Sequence, residues 1–145
     1  MEVFNARDYM NITIEIERLY QDISSEALRL ADDLEGKLLV YAEIEDCTIA
    51  SGMLYDKGEQ RIPTFKFCSP ALKEFLSDLW ERWNEISENK EWRAVAYLIS
   101  DGDFTIDFTY PEQIDVDETL QQRRSNVFQY YFGDVAIDYS NPSLD

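Results

Sequence analysis

The chain has 145 residues, of which 30 are Asp or Glu, 13 are Lys or Arg and none is His, giving a formal net charge of −17. That length suits one domain spanning 1–145, and 45% apolar with 14% aromatic residues is enough for a continuous core, which excludes global disorder. So negative a surface repels phosphate backbones and anionic lipid, which argues against direct nucleic-acid or membrane binding, and the lack of His removes the usual triad base and the commonest nitrogen ligand of zinc.

From Asp8 to about Asp33, Ile12, Ile16, Leu19, Ile23, Ala27 and Leu30 recur three or four residues apart, which predicts a first helix with one apolar face. Gly36 then punctuates the chain. Lys37 to Asp46 and Cys47 to Asp56 are short runs rich in β-branched and aromatic residues and predict successive antiparallel strands. A third strand is expected over Arg61 to Phe67, with Pro63 marking an edge or a bulge. Cys47 and Cys68 lie outside any CxxC pair and have no His partner, so two reduced, buried thiols are expected in place of a disulfide, a metal knuckle or a nucleophile. No basic segment followed by an apolar stretch opens the chain, and Leu38 to Ala42, the longest clearly apolar run, is too short to span a bilayer; a cytoplasmic protein is expected.

Ser69-Pro70 has the form of a helix start, Ser69 as the cap and Pro70 as the first helical residue. The second helix runs to about Asn89 with Leu72, Phe75, Leu76, Leu79, Trp80, Trp83 and Ile86 in a bulky stripe that suits a core. Trp92 to Ser100 reads as a strand, Asp101-Gly102 as a tight turn and Asp103 to Tyr110 as the hairpin partner. In that partner Phe104, Ile106, Phe108 and Tyr110 alternate with Asp103, Thr105, Asp107 and Thr109, so one face should pack inward and the other meet water. After Pro111, a last amphipathic helix is expected from about Asp117 to Tyr131, using Leu120, Val127, Phe128 and Tyr131, with Gly133 ending it and a tail through Tyr139 and Pro142. The class is therefore α+β: an antiparallel sheet packed against N-terminal, central and C-terminal helices.

Charge is unevenly placed. Between Ile99 and Thr119 lie Asp101, Asp103, Asp107, Glu112, Asp115, Asp117 and Glu118 with no Lys or Arg, whereas Lys37 to Cys68 is nearly balanced. A solvated face, a protein-binding face and a cation site are the readings open for this cluster. The order of a calcium loop is absent, as are a Gly-rich phosphate loop, a nucleophile elbow and a dinucleotide fingerprint; no metal, cofactor or enzymatic activity is expected. The protein-binding candidates are the seven acids with Tyr110 as an aromatic anchor, Tyr130 and Tyr139 being further anchor candidates.

The YAEIED strand, the Trp-containing helix from Leu72 to Ile86, the DGDFTIDFTY hairpin and RRSNVFQYYFGDVAIDY from Arg123 to Tyr139 together resemble the YezG-like immunity proteins of bacterial polymorphic toxin systems. The resemblance implies a small acidic α+β inhibitor that binds and neutralises a cognate toxin C-terminal domain, usually a nuclease or another toxic effector, and the net charge of this chain points to a basic one, for which a nuclease is the expectation. It transfers no fixed binding positions. The alternative is an acidic adaptor or DNA-mimicking module for another basic protein, which growth rescue by co-expression separates from an immunity protein.

Overall fold

A computed structural model describes residues 6–46, 48–57, 62–86, 91–140 and 142. The elements are α1 (Ala6–Leu30), β1 (Leu34–Glu45), β2 (Thr48–Lys57), β3 (Thr64–Lys66), α2 (Pro70–Ile86), β4 (Ala94–Ser100), β5 (Asp103–Thr109), a 3₁₀ turn (Pro111–Gln113) and α3 (Leu120–Phe132). The strands form one antiparallel sheet in the order β3-β2-β1-β4-β5, so the α+β class and the three packed helices hold as the sequence predicts.

The helices lie on both faces of the sheet. Because side chains alternate along β1, Leu38, Val40, Ala42 and Ile44 point to one face and Leu39 and Tyr41 to the other, and all six are buried. On the first face α1 brings Ile12, Ile16, Ile23, Ala27 and Leu30, and α2 brings Leu72, Leu76 and Leu79. Trp80, Trp83 and Ile86 pack against the rim of this core: Trp80 Nε1 donates to the Trp92 carbonyl at 2.8 Å, and the Trp83 ring lies 4.6 Å from that of Phe108. The tryptophan stripe thus builds the core.

On the second face α3 lies over small residues. Ala94 and Ala96 of β4 and Gly52 of β2 leave room for Phe65 and Phe128; a Cβ on Gly52 would stand 2.6 Å from the Phe65 ring. The apolar stripe of α3 was expected from Leu120, Val127, Phe128 and Tyr131. Leu120 is instead 38% exposed, and the inner positions one turn before Val127 and Phe128 are held by Arg123 and Arg124, the latter 4.9 Å from the centre of the Phe65 ring.

Several boundaries move for local reasons. Helix α1 stops at Leu30, not Asp33, and Asp33 takes a left-handed φ of 57° on the way into β1. Helix α2 begins as predicted, with Ser69 Oγ accepting from Leu72 N at 3.1 Å. Helix α3 begins at Leu120, not Asp117, because Thr119 is its cap: Thr119 Oγ1 accepts from Gln122 N at 3.1 Å and Gln122 Oε1 accepts from Thr119 N at 2.8 Å. The third strand contracts to Thr64–Lys66. Its outer side is covered by the C-terminal tail, through Phe65 N to Asp138 O at 3.0 Å, Asp138 N to Pro63 O at 2.8 Å and Phe67 N to Pro142 O at 3.0 Å. Of the two thiols, Cys68 is buried and unbridged, and burial pushes it up to about 11; Cys47 lies outside the described residues.

Candidate interaction surface

The acidic stretch starts at a two-residue turn. Asp101 and Gly102 both have positive φ, 54° and 82°, between the paired residues Ser100 and Asp103, the geometry in which a hairpin turn matches the twist of its strands. Asp suits the first position and Gly the second for that steric reason. Asp101 and Asp103 are exposed at this end of the hairpin. Strand β5 then carries Asp107 along the face it shares with α3, and Tyr131 Oη donates to Asp107 Oδ2 at 2.6 Å. Burial first, and then this bond, raise the Tyr131 phenol above its ordinary range. Asp107 thus ties the edge strand to α3.

Beyond β5 the chain turns under Pro111. Tyr110 N donates to Gln113 Oε1 at 2.9 Å, and Gln113 N returns a bond to Tyr110 O at 2.9 Å. The Tyr110 ring is half-buried against the core, while Glu112 is exposed. Asp115 Oδ1 accepts from Asp117 N at 2.9 Å, which shapes the approach to α3, and both side chains are exposed. Glu118 Oε2 accepts from Asn126 Nδ2 at 2.7 Å, and its carbonyl accepts from Arg123 at 2.6 Å.

The seven acids do not form one cluster. Asp101 and Asp103 are separated from Glu112, Asp115, Asp117 and Glu118 by the length of β5, roughly 20 Å at 3.3 Å per residue, with Asp107 between. They make a band along one edge of the sheet and around its end. Among the described residues none of the seven is in a salt bridge, although Glu118 adds to the field on Arg123. Of the aromatic candidates, Tyr130 is 80% exposed, with its ring 4.9 Å from that of Tyr131 and so beside the Asp107 contact. Tyr139 is half-exposed against Phe65, at the far edge of the sheet. Phe104, expected to pack inward, is 44% exposed, although it stacks on Tyr97 at 5.1 Å.

Next to the band lies a constellation that motif reading passes over. Glu43, on the central strand, is 4% exposed and accepts from Tyr41 Oη at 2.7 Å and from Arg123 Nε and a terminal Arg123 nitrogen at 2.9 Å each. Its carboxylate raises the Arg123 guanidinium, and burial followed by Glu43 raises the Tyr41 phenol. A cavity of about 310 Å³ opens over this pair, lined by Glu43, Glu45, Asp46, Thr48, Leu120 and Arg123. The signal available in the sequence was an Arg at an inner helix position, which needs a counter-charge, together with a Glu on the face of a strand whose other residues are apolar.

Among the described residues no group of three or more His, Cys, Asp or Glu is placed to hold a metal, and no helix is long and apolar enough to cross a membrane. What the band can do is electrostatic: attract and orient a cationic surface. No protein-family model matches the chain, and no curated protein matches it.

Proposed function

We propose that this protein is an immunity protein that binds a basic toxin domain, a nuclease, and blocks it stoichiometrically in the cytoplasm of the cell that makes both. The observation that carries the reading is the band of carboxylates from Asp101 to Glu118, all exposed but the half-buried Glu118, within a stretch from Ala94 to Gln122 that contains no Lys or Arg. A nuclease must present Lys and Arg to hold phosphates, so a carboxylate band can occupy the same groove and exclude substrate. Long-range attraction then sets the encounter rate, and aromatic side chains such as Tyr130 or Tyr110 at the contact supply the apolar burial that charge alone lacks. The resemblance of the hairpin and of the Arg123 to Tyr139 segment to YezG-like immunity proteins supports the same reading.

The test is growth rescue. The chain is co-expressed with the C-terminal domain of a candidate toxin from the adjacent gene, first as the natural sequence and then with Asp103→Lys and Glu112→Lys together. Natural chain restoring growth, with the double variant folded but failing to restore it, supports the reading. Full rescue by the double variant would overturn the acidic-band mechanism, and no rescue by the natural chain would overturn the immunity role. Binding to assorted basic proteins without rescue is the signature of a general acidic adaptor.

A further inference from the structure

The two edges of the sheet are treated differently by the fold. The β3 edge is covered by the tail, but β5 is the last strand of the sheet, and among the described residues no strand pairs with its outer side. Which backbone groups point outward follows from parity. Ile44 N bonds to Arg93 O at 2.8 Å, which makes Glu43–Ala94 a non-bonded pair, so Val95, Tyr97 and Ile99 turn their peptide groups toward β1, while Arg93 divides, its carbonyl facing β1 and its N–H donating to Thr109 O at 2.7 Å. The intervening β4 residues, Ala94, Ala96, Leu98 and Ser100, therefore bond to Thr109, Asp107, Thr105 and Asp103. The two-residue turn requires the same phase, since Ser100 and Asp103 close it. The N–H and C=O groups of Phe104, Ile106 and Phe108 are left facing away from the sheet. At Tyr110 the outward groups are taken by Gln113, which ends the open edge.

This edge lacks the usual guards against pairing: β5 contains no Pro and no Lys, runs seven residues, and keeps an unbroken register with β4. Its guard is negative charge. A second copy of the chain would set Asp103 and Asp107 against their own kind, whereas a cationic strand would find them complementary. The two faces of the edge also differ, with Phe104, Ile106 and Phe108 on one side and Asp103, Thr105 and Asp107 on the other.

The geometry points to strand addition: the open edge of β5 takes an extended segment of the basic partner in which apolar residues alternate with Lys or Arg, the apolar ones continuing the Phe104–Ile106–Phe108 row and the basic ones facing Asp103 and Asp107. This rests on the reading that the acidic band binds a basic protein, and it specifies how. Backbone bonding fixes the register, and the alternation selects the segment.

The test uses the isotope-labelled full chain and three capped nine-residue peptides: alternating Lys and Val, alternating Glu and Val, and the Lys–Val peptide with N-methyl groups along the edge that would pair. With the Lys–Val peptide near nine-tenths occupancy, amide exchange at Phe104, Ile106 and Phe108 should slow about tenfold. Thr105 and Asp107, already bonded to β4, should change little. N-methylation should weaken binding by about tenfold or more, since two or three backbone bonds are lost. Binding of the Lys–Val peptide without protection of those amides, or undiminished by N-methylation, or no binding at all, would overturn strand addition and leave the toxin-binding reading to the rescue experiment. Equal binding of the Glu–Val peptide would count against the charge reading itself.

Discussion

Removing the Arg123 guanidinium should be among the most costly single changes in the protein. Glu43 is 4% exposed and depends on two Arg123 nitrogens at 2.9 Å and the Tyr41 hydroxyl at 2.7 Å. Arg123→Met keeps most of the aliphatic volume against the sheet but leaves a buried carboxylate with one donor. Breaking a buried ion pair from one side costs about 3–5 kcal/mol. A domain of this size has a total stability on the order of 5–15 kcal/mol, so the variant should lose a large share of it, with Tm lower by on the order of 10 °C. Replacing the whole network, as Tyr41→Phe, Glu43→Leu and Arg123→Met together, should recover stability to within about 1–2 kcal/mol of the natural chain, because no buried charge is then left uncompensated and only the Glu118 carbonyl loses a donor. Urea unfolding followed by tryptophan fluorescence reads both. A cost below about 1 kcal/mol for Arg123→Met, or a triple variant as unstable as the single one, would refute this account of how α3 is held.

Two further outcomes follow from the packing and the titration of named groups. Gly52→Ala should destabilise by about 1–3 kcal/mol in the same unfolding assay, since its Cβ would fall 2.6 Å from the Phe65 ring, which is itself enclosed by Phe67, Phe128 and Tyr139. Glu26 is held down to about 2 by the Arg29 guanidinium and the Ser69 hydroxyl, against an ordinary value of 4.5. With the folded-state value depressed, its contribution to stability is complete above about pH 4.5 and fades as pH falls toward 2; Glu26→Gln should flatten the stability profile across that window.

Periodicity carried most of the fold. Helical spacing in Ile12 to Leu30 and Leu72 to Ile86, and the Asp101-Gly102 turn, depend on local sequence and were legible. What was not legible depends on partners distant in the chain. Alternation in β5 identifies two faces but not what covers each, so the Tyr131 bond to Asp107 and the exposure of Phe104 needed the tertiary structure. Helix α3 has a weak apolar stripe because Arg123 and Arg124 occupy inner positions, and that choice makes sense only beside Glu43, eighty residues earlier in the chain, and Phe65. The tail pairs with β3 through backbone groups, which leave no side-chain pattern to read. Seven acids close in sequence suggest one patch, and the length of the extended strand β5 spreads them into a band.

On the function proposed, the carboxylate band is the surface that meets a basic toxin. The most direct measurement of this is the affinity of the purified chain for the toxin domain that the rescue experiment identifies, over a series of salt concentrations, for the natural sequence and for Asp103→Lys with Glu112→Lys. The account predicts tight binding that weakens steadily with salt, and a double variant, unchanged in thermal unfolding, that binds at least about tenfold more weakly with a shallower salt dependence. Equal affinity and an identical salt slope for the two proteins would contradict it.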